Sequence, residues 1–113
     1  MDPDLSAKKI SLAILEKTGI KVAVIISDSH GRADRAGAGA VALGCYGITP
    51  LRVSTIITAD GNKKHPDEIL CDLLACAAAV IMGQRGRGIP VVCIRGIKFD
   101  FDTKANVKSI LQV

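Results

Sequence analysis

The sequence predicts an α/β fold of the α+β kind, in which a mixed β-sheet is flanked by helices. Apolar side chains recur at helical spacing over residues 6–18, and the predicted strands at 21–27 and 90–95 contain unbroken apolar runs (22–26 and 90–94) that are typical of buried strands. The chain is 49% apolar but only 3% aromatic, so its core must consist of small aliphatic side chains. Such a core suits helices packed closely on a sheet, and 113 residues predict a single domain over 1–113.

Helix caps and turn residues place the individual elements. Asp4 or Ser6 can cap the first helix and Gly19 can end it. Residues 28–39, rich in glycine, alanine and charge, predict a loop. The other predicted elements are strands at 40–46 and 51–58, a turn at 59–62, a helix at 66–82, a basic loop at 83–88, the strand at 90–95 and an amphipathic segment at 105–111.

Composition narrows the function classes. The net charge of +4 rests largely on lysines that a solvated surface explains, and no aromatic platform accompanies them, so we expect no nucleic-acid partner. The longest apolar stretch, 73–82, is too short to span a bilayer, so we expect no membrane partner. Four cysteines without a C-x-x-C pair indicate small buried hydrophobic residues rather than zinc ligands. We expect a cytoplasmic protein without a signal peptide.

The most informative stretch is Asp28-Ser29-His30-Gly31-Arg32, which follows the first predicted strand. A carboxylate and a hydroxyl are hard oxygen ligands suited to Mg²⁺ or Mn²⁺. The guanidinium of Arg32 could pair with phosphate or carboxylate oxygens. The alternative is an Asx-type turn, in which Asp28 accepts hydrogen bonds from the backbone amides that follow it.

Two further segments are rich in small residues. Residues 82–88 combine glycines, which let a backbone approach an anion, with arginines, although no Walker A motif is present. A solvated connection is the alternative. Residues 35–41 are mostly glycine and alanine, which favours ligand approach or tight packing at a dimer seam.

Several short motifs occur along the chain in a recognisable order. A strand runs into Ile26-Ser27-Asp28-Ser29-His30-Gly31-Arg32, and a late helix ends in Val80-Ile81-Met82-Gly83-Gln84 before Gly88-Ile89-Pro90-Val91-Val92. Further matches lie at 17–19, 41–44, 47–51, 59–62, 67–69 and 93–96. This order resembles the C-terminal half of the coenzyme F420-0:L-glutamate ligase (gamma-glutamyl ligase) family, as in a short stand-alone homologue of archaeal type.

The resemblance implies a site and a chemistry. The family joins glutamate to the F420 precursor through a GTP-dependent acyl phosphate, with Mg or Mn and GTP or GDP as the implied cofactors. By position, the implied metal ligands are Asp28, Ser29 and Gln84, and the phosphate or substrate candidates are Arg32 and Arg35. The residues implied to line the nucleotide are Met82, Gly83, Gln84, Arg85, Gly86, Arg87, Gly88 and Ile89.

The chain departs from the family in length, because the N-terminal half of the family's active site has no counterpart here. Three functions follow: a stand-alone relative that binds a nucleotide or phosphate compound with a divalent metal, one subunit of a split GTP-dependent ligase, or a structural or regulatory dimer without the site. The resemblance also implies a homodimer. The apolar segment 73–81 predicts burial in the core or against a partner subunit.

Overall fold

A computed structural model describes residues 2–32, 35–53, 56–64, 67–83 and 88–111. Within that part of the chain, helices and short antiparallel sheets form the α+β fold that the sequence predicts. The elements, in chain order, are α1 (Pro3–Thr18), β1 (Val24–Arg32), β2 (Arg35–Tyr46), β3 (Leu51–Val53), β4 (Ile56–Ile57), β5 (Lys63–Lys64), β6 (Asp67–Ile69), α2 (Leu70–Met82) and a 3₁₀ helix, η1 (Val107–Ile110).

Helix α1 begins three residues before the predicted start because Asp2, rather than Asp4 or Ser6, is its N-cap. The Oδ1 atom of Asp2 accepts a hydrogen bond from the N–H of Leu5 at 3.2 Å. The predicted end at Gly19 is confirmed: its φ of 72° is left-handed, and its N–H donates to the carbonyl of Leu15 at 2.8 Å.

The longest sheet element is the β1–β2 hairpin. The predicted loop at 28–39 is wrong for 28–32 and 35–39, which are strands, and residues 33–34 lie outside the described residues. β1 and β2 pair antiparallel from Val24–Tyr46 to Arg32–Arg35. The ladder continues through glycine, alanine and charged residues because its hydrogen bonds use backbone groups that each of these residues carries. We call residues 24–26 with 44–46 the hairpin base, and residues 27–32 with 35–42 the hairpin tip.

The other sheets are two short antiparallel pairs, β3–β6 and β4–β5. Helix α2 was predicted to begin at 66, but it begins at Leu70 because residues 67–69 pair with β3 instead. Its predicted end at Gly83 is confirmed, and the turn at 59–62 is confirmed by the N–H of Thr58 donating to the carbonyl of Asn62 at 2.8 Å. Of the predicted strand at 51–58, Leu51–Val53 form β3 and Ile56–Ile57 form β4, and residues 54–55 lie outside the described residues.

Residues 90–95 do not form the predicted strand. In the described part of the chain they pair with no other strand, although their β-branched composition favours one. A strand needs a neighbour to satisfy its backbone groups, so composition alone did not suffice. Val91 is 79% exposed, and Ile89 and Ile94 are also exposed.

The core lies between the C-terminal half of β2, the start of α2 and η1. Its buried members are Ala42, Cys45, Ile48, Leu70, Cys71 and Val107. Burial is predicted correctly for Cys45 and Cys71, whereas Cys76 and Cys93 are exposed. Burial raises the pKa of the Cys45 thiol to about 12 and that of Cys71 to about 11.

The outer face of α2 remains uncovered. Leu73, Val80 and Ile81 are each more than half exposed, so the segment 73–81 is not enclosed by the chain's own core. Neither helix of the described residues is long and apolar enough to cross a membrane.

Candidate metal and phosphate site

The hairpin tip presents Asp28 and Ser29 to solvent on β1. Both residues are exposed, and they pair with Val41 and Ala40 of β2. The Oδ1 atom of Asp28 accepts a hydrogen bond from the N–H of Ser29 at 2.8 Å. This is the local bond that the Asx alternative predicts, but it forms within a strand rather than in a turn.

Asp28 and Ser29 are consecutive residues of one strand, and consecutive strand side chains point to opposite faces. The hydroxyl of Ser29 therefore does not extend from the same face as the carboxylate of Asp28. For Asp28 and Ser29 to bind the same ion, the conformation of β1 would have to change locally. The structure thus gives the two predicted metal ligands unequal positions.

A β-bulge separates the hairpin base from the hairpin tip. Ile26 pairs with Gly44, but the next residue, Ser27, pairs with Ala42, so Leu43 is an extra residue on β2. A bulge bends its strand and changes the direction of neighbouring side chains. The register of Asp28 and Ser29 is therefore set at this point.

Helix α2 holds β2 beside the bulge through two side chains. The Oδ1 atom of Asp72 accepts a hydrogen bond from the N–H of Ala42 at 2.8 Å. One helical turn later, the thiol of Cys76 donates to the carbonyl of Ala40 at 3.2 Å. The two contacts bracket Val41, the β1 partner of which is Asp28.

These contacts also orient α2. From Asp72 to Cys76 the helix rises by about 6 Å, and from Ala42 back to Ala40 the strand spans about 7 Å. Helix α2 therefore runs alongside β2 in the opposite direction, and its C-terminal residue Met82 lies toward the hairpin tip. The segment that follows α2 thus starts on the side of the molecule that carries the predicted phosphate-binding residues.

The remaining predicted site residues fall partly outside the described residues. Met82, Gly83, Gly88 and Ile89 are described, whereas residues 84–87, including Gln84, Arg85 and Arg87, are not. Arg32 and Arg35 pair through their backbones near the end of the hairpin, and their side chains lie outside the description. The predicted approach of Gln84 to Asp28 stays a prediction.

The donor set of the described residues is small. They contain no group of three or more His, Cys, Asp or Glu side chains that could hold a metal ion. Mg²⁺, however, is commonly held by one or two carboxylates together with water and phosphate oxygens. An exposed carboxylate at Asp28 with arginines nearby in the sequence fits this mode of binding.

The hairpin base is constructed differently. The Oδ1 atom of Asp4 accepts hydrogen bonds from the N–H of Cys45 at 2.9 Å and from the N–H of Val107 at 2.7 Å, which joins α1, β2 and η1. Beside it, a Cβ on Gly44 would overlap the backbone of Pro3. The hairpin base thus has the close packing of a structural core.

Sequence reasoning did not find Asp72 or Cys76. Asp72 is an acidic residue in the first turn of an apolar helix, and its partner Ala42 is 30 residues away. The available signal is the spacing of Asp72 and Cys76, which are four residues apart and therefore lie on one helix face.

The fold and the candidate site together define a small α+β domain that exposes a carboxylate and a hydroxyl on a hairpin held by a helix. The profile of the family described as F420-0:Gamma-glutamyl ligase matches residues 1–96. The chain belongs to this family.

Curated relatives support the same assignment. Coenzyme F420:L-glutamate ligase of Methanothermobacter thermautotrophicus is 42% identical over 97 residues, which cover 84% of this chain and 38% of the relative. The protein of the same name from Methanocaldococcus jannaschii is 43% identical over 102 residues, 88% of this chain and 41% of the relative. The protein of the same name from Methanosarcina mazei is 34% identical over 109 residues, which cover 95% of this chain and 43% of the relative. The chain thus spans about two fifths of the length of these relatives.

Proposed function

We propose that this chain is a cytoplasmic relative of coenzyme F420:L-glutamate ligase that binds a nucleotide or phosphate compound together with a divalent metal at the hairpin tip. The observation that carries the proposal is the exposed Asp28 carboxylate on a strand whose partner β2 is held by α2 at the same level. GTP or GDP with Mg²⁺ or Mn²⁺ is the ligand pair that the family resemblance favours.

Each part of the tip has a role in this proposal. Asp28 binds the metal, Ser29 (after a local change in β1) and Gln84 complete the protein ligands, and Arg32 and Arg35 contact phosphate oxygens. The segment 82–89, which begins at the last residue of α2, lines the nucleotide. When bound, the metal supplies charge that neutralises a phosphoryl group.

For the ligase reaction we propose a second protein chain. The matched relatives, whose name states that they are glutamate ligases, are more than twice as long as the part matched by this chain. This chain would correspond to their C-terminal half, and the other half would come from a separate chain of a split GTP-dependent ligase. Mixing this protein with the unmatched part of the M. jannaschii relative, then assaying glutamate addition to the F420 precursor, tests the arrangement.

A second candidate function is a structural or regulatory homodimer. The exposed Leu73, Val80 and Ile81 on α2 favour it, as do the apolar residues at 90–94, which pair with no strand of the described residues, because a second copy could cover both. Analytical ultracentrifugation measures the mass. A homodimer with no response to any nucleotide or metal would support this function over the first.

Thermal unfolding in the presence of Mn²⁺ with GDP or GTP tests the binding proposal. A ligand that binds only the folded state stabilises it, by about 2.7 kcal/mol at 100 times its Kd. We expect Tm to rise by several degrees for the natural chain and to stay constant for Asp28→Ala. Asp60→Ala is the matched control, since Asp60 is also exposed but lies in the β4–β5 turn. No shift in the natural chain at millimolar ligand would refute the proposal.

A further inference from the structure

Asp72 lies on α2 and is not among the residues that the family pattern assigns to the site. It nevertheless contacts β2, the strand that pairs with Asp28 and Ser29 of β1. Its Oδ1 atom accepts the N–H of Ala42 at 2.8 Å. Ala42 is 5% exposed and is the residue that pairs with Ser27 immediately after the bulge. The hydrogen bond therefore acts at the position where the register changes.

We infer that Asp72 is a positioning residue, which fixes the bulge at Leu43 and thereby sets how β1 presents Asp28 and Ser29. The effect of Asp72 on metal binding rests on the proposed function. Its control of the hairpin register does not, and can be tested separately.

The reason lies in the alternation of a strand. Moving a strand by one residue relative to its partner transfers its side chains to the other face. The bulge introduces one such step between Ile26 and Ser27, so the apolar half and the polar half of β1 follow different registers. If the bulge relaxed, Asp28 would lose its present pairing with Val41.

The second contact of α2 strengthens the assignment. The thiol of Cys76 donates to the carbonyl of Ala40, so α2 holds β2 on both sides of Val41. One contact uses an acceptor on the helix and the other uses a donor, which together fix the position of β2 along α2. Asp28 thus lies opposite the residue between the two contacts.

Asp4 offers a matched comparison, because it also places a carboxylate oxygen on a backbone N–H of β2. It does so at Cys45, in the hairpin base, at 2.9 Å. Removing either carboxylate takes one acceptor from β2, but only Asp72 lies on the side of the bulge that carries Asp28.

The experiment compares Asp72→Asn, Asp72→Ala and Asp4→Ala by two-dimensional amide NMR, below the unfolding temperature of each protein. We expect Asp72→Ala to shift the amide signals of Ser27, Asp28 and Ser29, and Asp4→Ala to leave these three in place. Asp72→Asn retains an acceptor oxygen and should resemble the natural chain. Changes confined to α2 and Ala42 in Asp72→Ala would overturn the inference. So would an equal effect of Asp4→Ala on the three signals.

Mn²⁺ titration followed by electron paramagnetic resonance separates the two proposals. We expect Asp72→Ala to weaken Mn²⁺ binding by on the order of tenfold, with Asp72→Asn and Asp4→Ala within about twofold of the natural chain. Equal loss in Asp72→Asn and Asp72→Ala would overturn positioning, since it would make the charge itself the essential property. If the natural chain binds no Mn²⁺, the proposed function fails and the amide signals alone decide the role of Asp72.

Discussion

The two halves of the β1–β2 hairpin share one ladder but differ in what surrounds them. In the hairpin base, β2 packs against the first turn of α1 so closely that Gly44 has no room for a side chain, and Asp4 joins three elements. In the hairpin tip, Asp28 is exposed, and two side chains of α2 bond to the β2 backbone at Ala42 and Ala40. The difference indicates that stability depends mainly on the base, while the tip can carry a ligand site at small cost to folding.

The largest expected effect comes from adding one methyl group to each half. Gly44→Ala should lower the free energy of unfolding by about 3 kcal/mol, because the new Cβ overlaps the backbone of Pro3 and α1 must move. Gly31→Ala in the tip has nothing within 4 Å of the added Cβ and should change stability by less than about 0.5 kcal/mol. Urea denaturation measures both, and similar losses in the two variants would contradict the comparison.

Removing the α1 carboxylate that holds the hairpin base, or the carboxylate in the hairpin tip, should have opposite consequences for stability and binding. Asp4→Ala leaves the N–H groups of Cys45 and Val107 without their acceptor, which should cost about 2 kcal/mol. Asp28→Ala removes an exposed side chain and should cost less than about 0.5 kcal/mol.

The same two variants should reverse their order when Mn²⁺ binding is measured. Asp28→Ala should abolish it, and Asp4→Ala should retain it at a temperature at which the variant is folded. Because strand alternation puts Ser29 on the other face, Ser29→Ala should weaken binding less than Asp28→Ala. A larger loss of Mn²⁺ binding for Ser29→Ala than for Asp28→Ala would contradict the placement of the two side chains on opposite faces of β1.

The features that the sequence predicted correctly are local ones. The end of α1 at Gly19, the turn at 59–62 and the end of α2 at Gly83 each depend on bonds within about one turn of chain. The α+β class also follows, because apolar periodicity is a property of each segment by itself.

The features that escaped prediction depend on distant partners. Residues 67–69 begin with acidic side chains that favour a helix start, but pairing with β3 makes them a strand. Residues 28–39 have the composition of a loop, and the pairing of 28–32 with 35–41 becomes visible only when β1 and β2 are together. Asp28 and Ser29 could be proposed from their own motif, whereas Asp72 could not, because its contact crosses 30 residues.

Cysteine chemistry should sharpen the contrast between the core and the surface. Cys45 and Cys71 are buried, and burial raises the pKa values of their thiols from an ordinary 9.0 to about 12 and about 11. Cys76 and Cys93 are exposed. In the folded protein at pH 8, iodoacetamide should therefore label Cys76 and Cys93 first, which peptide mass spectrometry can follow. Early labelling of Cys45 would contradict the packing of the hairpin base.

The same pKa values predict a pH dependence with a definite sign. Above pH 9.0 the unfolded chain releases thiol protons that the folded chain retains until about pH 11 and 12, so the unfolded state binds fewer protons. The contribution of these two thiols to the free energy of unfolding should thus be constant below pH 9 and fall as the pH rises from 9 toward 12. Urea denaturation at pH 8, 9, 10 and 11 tests this, and Cys45→Ala should show a shallower fall.

The smallest expected effect concerns the ion pair that attaches η1 to α1. Lys108 Nζ donates to Asp2 Oδ2 at 3.0 Å, and this hydrogen bond, with that from the N–H of Leu5, lowers the pKa of Asp2 below 3.8. In Lys108→Ala the pKa of Asp2 should rise toward 3.8, while that of Asp60, lowered by its own bonds to Thr58 and Asn62, should not change. A carboxyl with a lowered pKa stabilises the fold above its ordinary pKa, and this contribution is lost as the pH falls.

NMR titration of the Asp2 and Asp60 carboxyls in the natural chain and in Lys108→Ala measures the shift. A constant Asp2 pKa would mean that the cap of α1 is independent of η1, and that the hairpin base is held by Asp4 and Gly44 without help from the exposed pair.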